Sequence, residues 1–351
     1  MIRPVPLQTR ATDRDSTGSD GSASAGFRPA PAGFRRWQLV NDPYGGRFLV
    51  LGLEGTDGSS ETLGERPRDS ECSYRVVRDF TRHLDERAYG ATAMPPERLR
   101  RYELNYAANR ARILHSADED VAPADVVYLV ASGPGLRANV AELARIRRGV
   151  VVGVNQTARI LPPERLDYFF CIDFSLGPEN FPRPLPTTVG VFDVAVSPAV
   201  HALDCRRELY FLPAGRSEFY DRVRAEFPFL TKLEHGLNVT FSALAWIVRV
   251  LKARTIVLVG MDCAYTGSWR HFDEPLMFKH DAEYLVAQDV DGRAVITDPV
   301  YLAIAEWHTA VLYFLRDAGI RVINATEGGL LRHFVELKPL SRTVDELNGG
   351  D

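Results

Sequence analysis

Short polar side chains follow several apolar runs in the second two-thirds of this 351-residue sequence, at the positions where β-strands would end. Hydroxyl, amide and carboxylate groups could hydrogen-bond a small polar molecule there, and an imidazole could move a proton near neutral pH. Taken singly, each could instead be a helix cap or a turn residue. The candidates are Ser132, Gly133, Pro134 and Gly135; Asn155 and Gln156; Asp173; Asp262, Tyr265 and His271; Asn324, Thr326 and Glu327; and, where a helix is predicted to begin, Asn238 and Thr240.

The first of these groups, residues 132–135, forms a predicted turn that leads straight into a helix. Glycines allow backbone N–H groups to approach an anion closely, and a helix N-terminus adds partial positive charge. The spacing is not G-x-G-x-x-G, so we do not expect a standard dinucleotide site. A tight turn without a ligand is the alternative interpretation.

His271 is the candidate general base, because an imidazole titrates close to the working pH of most enzymes. The alternative is an exposed loop residue. His280 is a second candidate, whereas His308 lies on an otherwise apolar helix and is expected to be a core residue.

The elements that must position these groups alternate between strand and helix from residue 122 onward. The strand candidates DVVYLVAS, VVVGVN, DYFFCIDF, GVFDVAVS, ELYFLP, TIVLVGMD and RVINAT are apolar on both faces, and amphipathic helices separate several of them. This pattern predicts an α/β, Rossmann-like three-layer domain with a mainly parallel sheet. Ligands of such sheets bind beyond the carboxyl ends of the strands, where the polar residues lie.

The segments VYLVASGPGL, VVVGVNQ, LDYFFCIDF, TIVLVGMDCAYTG and INATEGG, in this order, resemble the MptE-like family over about residues 125–331. That family is named for the archaeal 6-hydroxymethylpterin diphosphokinase and includes bacterial motility accessory factors. The turn at residue 132 and the G-x-D-x-x-Y element are also similar to those of bacterial sialyltransferases that use CMP-sialic acid. The resemblance implies a nucleotide donor and the transfer of a group from it to an acceptor alcohol.

On this resemblance the turn at residues 133–135 would hold the donor phosphate, and Asn155 and Gln156 would contact its sugar or base. Asp173 and Asp262 would bind ribose or acceptor hydroxyls, or a metal if one is used. Tyr265 would hydrogen-bond the departing phosphate. The remaining candidates are N-cap, turn or ligand-contacting residues: Asn238, Thr240, Asn324, Thr326 and Glu327.

One mismatch separates the two reactions known in the family. The diphosphokinases resemble thiamin pyrophosphokinases in carrying acidic residues after the second and third strands, and such carboxylates hold the Mg²⁺ that ATP chemistry requires. Here those positions carry Asn155 and Gln156, with Asp173 as the remaining carboxylate. We therefore expect a glycosyltransferase that uses a nucleotide-activated sugar of the CMP-nonulosonate type, with no metal. The alternatives are diphosphate transfer from ATP with Mg²⁺, or a non-catalytic nucleotide-binding protein, for which Gly135 in place of the usual Ser leaves room.

The chain divides into a polar tail at 1–35, expected to be disordered, an accessory region at 36–120, the Rossmann-like domain at 121–335 and a tail at 336–351. The accessory region is predicted to contain a strand at RFLVLGLEG and helices near residues 73–90 and 95–115, and no chemistry is assigned to it. The GLEGTDGSSE segment lacks the spacing and the lysine of a P-loop.

Composition points to an ordinary globular protein, with 45% hydrophobic residues, 25% charged residues and a net charge of −4. That balance gives no reason to expect nucleic acid as a partner, and no apolar stretch is long enough for a membrane span. Polar residues follow Arg3 and Arg10 where a signal peptide would carry its apolar region. We expect a cytoplasmic protein whose four scattered cysteines are reduced.

Overall fold

The computed structural model describes residues 34–41, 47–53, 96–213, 218–233, 238–266, 269–273 and 284–349. Residues 1–33 of the predicted tail, the Gly/Ser-rich loop after residue 53, the helix predicted near residues 73–90 and His280 all lie outside these ranges.

A parallel sheet of nine strands forms the centre of the described structure, which confirms the predicted α/β, Rossmann-like class. The seven strands predicted from the sequence are all present. The nine strands of the sheet are β3 (Val126–Val130), β4 (Val150–Val154), β5 (Tyr168–Cys171), β6 (Val189–Asp193), β7 (Arg207–Pro213), β8 (Lys232–Leu233), β9 (Thr255–Val259), β12 (Arg321–Asn324) and β13 (Glu336–Leu337). Their order is β13-β12-β9-β3-β4-β5-β6-β7-β8.

The order of the strands reverses at β3. From β3 the chain adds strands in one direction as far as β8, and it then returns to place β9 on the opposite side of β3. A crevice opens at such a switch point because the connections leaving the two adjacent strands run over opposite faces of the sheet. The fold therefore directs a ligand to the carboxyl ends of β3 and β9.

Helices cover both faces of the sheet because successive side chains of each buried strand point to opposite sides. Val127 and Leu129 of β3 pack on the face covered by the helices Val239–Trp246 and Pro299–Asp317, whereas Tyr128 and Val130 pack on the other face. The helices are α1 (Pro96–Asn109), α2 (Leu136–Leu143), α3 (Glu218–Glu226), α4 (Val239–Trp246, continued by a π-helical turn at Ile247–Leu251), α5 (Pro299–Asp317) and α6 (Leu340–Gly349). None of the described helices is long and apolar enough to cross a bilayer.

Two antiparallel hairpins accompany the sheet: β1 (Phe34–Asn41) with β2 (Arg47–Leu53), and β10 (Leu285–Gln288) with β11 (Ala294–Thr297). The segment after residue 335, which the sequence analysis predicts to be a tail, belongs to the domain. It contributes β13 to the sheet, and Leu340 and Val344 of α6 are fully buried in the core.

Candidate active site

A cleft of about 360 Å³ opens at the switch point between β3 and β9. The residues that line it come from the ends of β3, β4, β5 and β9, from the starts of α4 and α5, and from α1 and the segment 269–273. Of the residues predicted from the sequence, the cleft brings together Ser132, Gly133, Pro134, Asn155, Asp173, Asn238, Thr240, Asp262 and His271.

The turn at residues 132–135 packs directly against the carboxyl group of Asp262. The N–H of Gly135 donates to Asp262 Oδ1 over 2.9 Å, and the N–H of Gly133 donates to the carbonyl of Gly260 over 2.9 Å. A Cβ added at Gly133 would lie 2.2 Å from Asp262 Oδ2, and one at Gly135 would lie 2.7 Å from the carbonyl oxygen of Thr326. Glycine is therefore required at both positions because other parts of the protein approach closely.

The first N–H groups of α2 also have partners within the protein. Leu136, Arg137 and Ala138 donate to the carbonyl oxygens of residues 133, 134 and 135, over 3.1, 3.1 and 3.2 Å. These short-range bonds tighten the first helical turn and use the donors that a bound anion would otherwise take.

Asp262 is 2% exposed, and burial raises the pKa of its carboxyl group to about 7. The N–H groups of Gly135 and of Asp262 itself, and the Thr266 hydroxyl, oppose this rise by stabilising the charged form. The other carboxyl oxygen, Oδ2, is buried and has no hydrogen-bond partner within the described part of the chain. The loop after β12 closes over the residue, since the N–H of Leu330 donates to its backbone oxygen over 2.9 Å.

Asn155 and Asp173 both line the cleft. Asn155 has a left-handed φ of 46°, and its buried Oδ1 has no hydrogen-bond partner among the described residues. Asp173 accepts two hydrogen bonds at Oδ1, from the N–H and the hydroxyl of Ser175 over 2.8 and 2.7 Å. Gln156 also has an unpartnered buried oxygen, but it does not line the cleft.

Asn238 caps α4, since its Oδ1 accepts from the N–H of Thr240 over 2.7 Å. The hydroxyl of Thr240 also lies 2.9 Å from Nε2 of His308. His308 is 1% exposed and burial lowers its pKa to about 4, so it is the neutral core histidine that the sequence predicts.

The segment that carries His271 and Arg270 is fastened to the start of α2. The N–H of Phe272 donates to the carbonyl of Ser132 over 2.8 Å. The guanidinium of Arg137 stacks on the Trp269 ring, 3.8 Å from its centroid, and donates to the carbonyl of Phe272 over 2.6 Å. Both His271 and Arg270 line the cleft as a result.

Five predicted residues lie outside the cleft lining and bond to the protein itself; one of them is Gly135, which donates to Asp262. The hydroxyl of Tyr265 donates to Asp298, the N-cap of α5. Asn324 and Thr326 are buried and tie the loop after β12 to Leu331 and to the N–H of Met261, respectively. The carboxylate of Glu327 accepts from the N–H of Leu340 at the start of α6. Within the described ranges no three His, Cys, Asp or Glu residues are grouped so as to hold a metal ion.

Sequence reasoning assigned no chemistry to α1, yet its Arg98 and Tyr102 line the cleft. Asn105 and Asn109 fasten this helix to the loop after β6, where their side-chain amides donate to the backbone oxygens of residues 194–196 over 2.9–3.2 Å. An amphipathic pattern identified the helix, but the sequence carries no signal for contacts to a loop 85–90 residues away.

Comparison with known proteins identifies one structural relative by fold. The MAf glycosyltransferase from Magnetospirillum magneticum AMB-1 superposes with a TM-score of 0.51 at 15% sequence identity. The two proteins share a fold. The match covers 71% of this chain and 41% of that one, so it spans less than half of the length of the glycosyltransferase. No protein-family model and no curated protein sequence matches this chain.

Proposed function

We propose that this protein is a transferase of the MptE-like type that moves a glycosyl group from a nucleotide-activated sugar to an acceptor hydroxyl. The observation that carries the proposal is the cleft at the β3–β9 switch point, in which amide, hydroxyl, guanidinium and imidazole groups from separate elements converge. The fold shared with a glycosyltransferase supports it.

The donor set of the cleft suits a sugar or a nucleoside better than a magnesium ion. Asn155 offers a buried amide oxygen that lacks a partner in the described structure, and Ser132 offers a hydroxyl. Asp173 is the carboxylate beside Asn155, and one of its oxygens is already held by Ser175. A metal that bridges phosphates usually needs carboxylate ligands that an amide replaces poorly, so we derive no step through a metal.

In the proposed reaction an acceptor hydroxyl attacks the anomeric carbon of the sugar. A bond forms between the acceptor oxygen and that carbon, the bond from the carbon to the phosphate oxygen breaks, and its electron pair leaves with the nucleotide. His271 takes the acceptor proton as general base. Asp262 acts as a positioning residue, because its buried carboxyl fixes the turn at residues 132–135 rather than facing solvent.

The proposal is tested by incubating the full chain with CMP-, UDP- and GDP-sugars and measuring nucleotide release. We expect release from at least one donor class, with acceleration when an acceptor alcohol is present. Inertness toward every sugar nucleotide, together with diphosphate transfer from ATP and Mg²⁺ to 6-hydroxymethylpterin, would establish the diphosphokinase alternative. Tight nucleotide binding with neither activity would indicate a non-catalytic protein.

A further inference from the structure

Helix α1 forms one wall of the cleft, although it lies outside the part of the chain that resembles the MptE-like family. Arg98 and Tyr102, one helical turn apart, face the cleft beside Phe174 and Ser175, which follow β5. Asn105 donates to the carbonyl of Phe174 over 2.9 Å as well as to the loop after β6. The helix is therefore fixed to the carboxyl ends of two strands of the sheet.

The guanidinium of Arg98 is held in one orientation by aromatic groups. Its Nε and Nη2 donate to the Tyr102 hydroxyl over 3.3 and 2.9 Å. Its central carbon lies 5.4 Å from the centre of the Tyr102 ring and 5.1 Å from the centre of the Phe174 ring. Orienting a guanidinium in advance reduces the entropy lost when it binds a planar oxyanion, which it can do through two parallel hydrogen bonds.

The cleft needs a source of positive charge if its ligand carries a phosphate. The N–H groups of residues 133 and 135–138 already donate within the protein, and residue 134 is a proline. Among the described lining residues, formal positive charge comes from Arg98 and Arg270. Burial raises the pKa of the Tyr301 hydroxyl, and Arg270, which hydrogen-bonds it, opposes that rise.

Three carboxyl groups lie in or near the same region: Asp173 and Asp262 on the lining, and Asp193, which is buried outside it. Burial raises the pKa values of Asp193 and Asp262 to about 7, so each is partly neutralised by a proton near that pH. Arg98 opposes the rise at Asp193, so its charge is only partly offset by that buried carboxyl group near neutral pH.

We propose that Arg98 binds an oxyanion of the ligand, either the phosphate of a nucleotide or the carboxylate of an acidic sugar. The inference rests on the proposed function for the identity of the ligand. Its test uses simple anions as well as nucleotides, so that the inference about Arg98 and the proposed function can fail separately.

The experiment compares the wild type, Arg98→Gln and Arg98→Lys by calorimetric titration with CMP, cytidine, N-acetylneuraminate and inorganic phosphate. Arg100→Gln is the matched control because Arg100 is exposed on the same helix. We expect Arg98→Gln to raise the Kd of the anion that it contacts by about 10- to 100-fold, and to leave cytidine binding unchanged. Arg98→Lys keeps the charge but not the planar fork, so it should recover part of the affinity.

The affected anion identifies the source of the oxyanion. Weaker binding of CMP and inorganic phosphate would indicate the phosphate of a nucleotide, and weaker binding of N-acetylneuraminate would indicate the carboxylate of an acidic sugar. If Arg98→Gln binds every anion as tightly as the wild type, or if the wild type binds none of them, the inference is wrong. If Arg98→Gln weakens an anion while the wild type releases nucleotide from no sugar donor, the inference stands and the proposed function falls. Unchanged melting temperatures of the unliganded variants show that the affinity loss is not unfolding.

Discussion

The N–H of Gly135 donates a hydrogen bond to Oδ1 of Asp262 over 2.9 Å, and so joins the turn after β3 to the end of β9 across 127 positions of the chain. These two strands flank the switch point of the sheet. The bond therefore holds the turn against the buried aspartate at the base of the cleft.

Gly133→Ala should destabilise the protein because the new methyl group meets the Asp262 carboxyl at 2.2 Å and the Gly260 carbonyl at 2.4 Å. Overpacking of this kind costs about 1–3 kcal/mol, measured as the free energy of unfolding in urea. The matched control is Gly349→Ala, whose methyl group would meet nothing within 4 Å. Equal stability of the two variants would show that the turn does not pack on Asp262 as described.

Asp262→Asn should flatten the dependence of stability on pH. The carboxyl pKa is about 7 in the folded protein and 3.8 in a model compound, so the folded state binds this proton more tightly. The stabilisation that this proton gives the folded state is fully present below pH 4 and is lost as the pH rises through 7. Removing it should reduce the change in unfolding free energy over that range by roughly 2–4 kcal/mol.

The measurement is urea denaturation of the wild type and of Asp262→Asn at several pH values between 4 and 8. Asp193 is buried with a similarly raised pKa, so Asp193→Asn should act in the same direction. Asp125→Asn, at a side chain that is 83% exposed, should leave the profile unchanged. A wild-type profile retained in full by Asp262→Asn would contradict the raised pKa.

Much of the fold and part of the site follow from the sequence. Apolar runs such as VVYLV and TIVLV are typical of strands buried on both faces, and the polar residues after them lie at one edge of the parallel sheet. The same rule does not separate ligand-facing residues from structural ones. Asn155 faces the cleft, whereas Asn324, at the equivalent end of β12, bonds to Leu331.

The features that the sequence does not predict depend on contacts between residues far apart in the chain. Arg98 belongs to the cleft because Asn105 and Asn109 hold α1 on the loop after β6, and no local pattern encodes that pairing. The strand β13 is two residues long, too short for an alternating pattern, and α6 follows it directly. That α6 belongs to the domain follows from the burial of Leu340 and Val344, which only the structure shows.

Asn155→Gly should weaken nucleotide binding without destabilising the fold. Its side-chain oxygen has no partner in the described structure, and glycine tolerates the left-handed φ of 46°. The loss of one hydrogen bond predicts a Kd about 5-fold higher, measured by calorimetry. Asn139→Ala is the contrast, because Asn139 donates to the carbonyls of Ala325 and Thr326 and its loss should lower stability. Loss of stability in Asn155→Gly with unchanged affinity would assign Asn155 a structural role.

His271→Ala should reduce turnover by about two orders of magnitude or more if the imidazole removes the acceptor proton. The Kd of the donor should change little, since the base contacts the acceptor. His333→Ala serves as the control, because His333 does not line the cleft. Steady-state rates across a pH series provide the readout, and an unaltered kcat in His271→Ala would remove this residue from the mechanism.

We propose that one nucleotide-bearing ligand occupies the crevice between the ends of β3 and β9. A crystal structure of the full chain with a bound sugar nucleotide, or with its nucleoside monophosphate product, tests that claim most directly. We expect the sugar–phosphate junction to lie among Asn155, Asp173 and His271, with an oxyanion bound to Arg98. A nucleotide bound at another edge of the sheet, with this cleft unchanged, would contradict it.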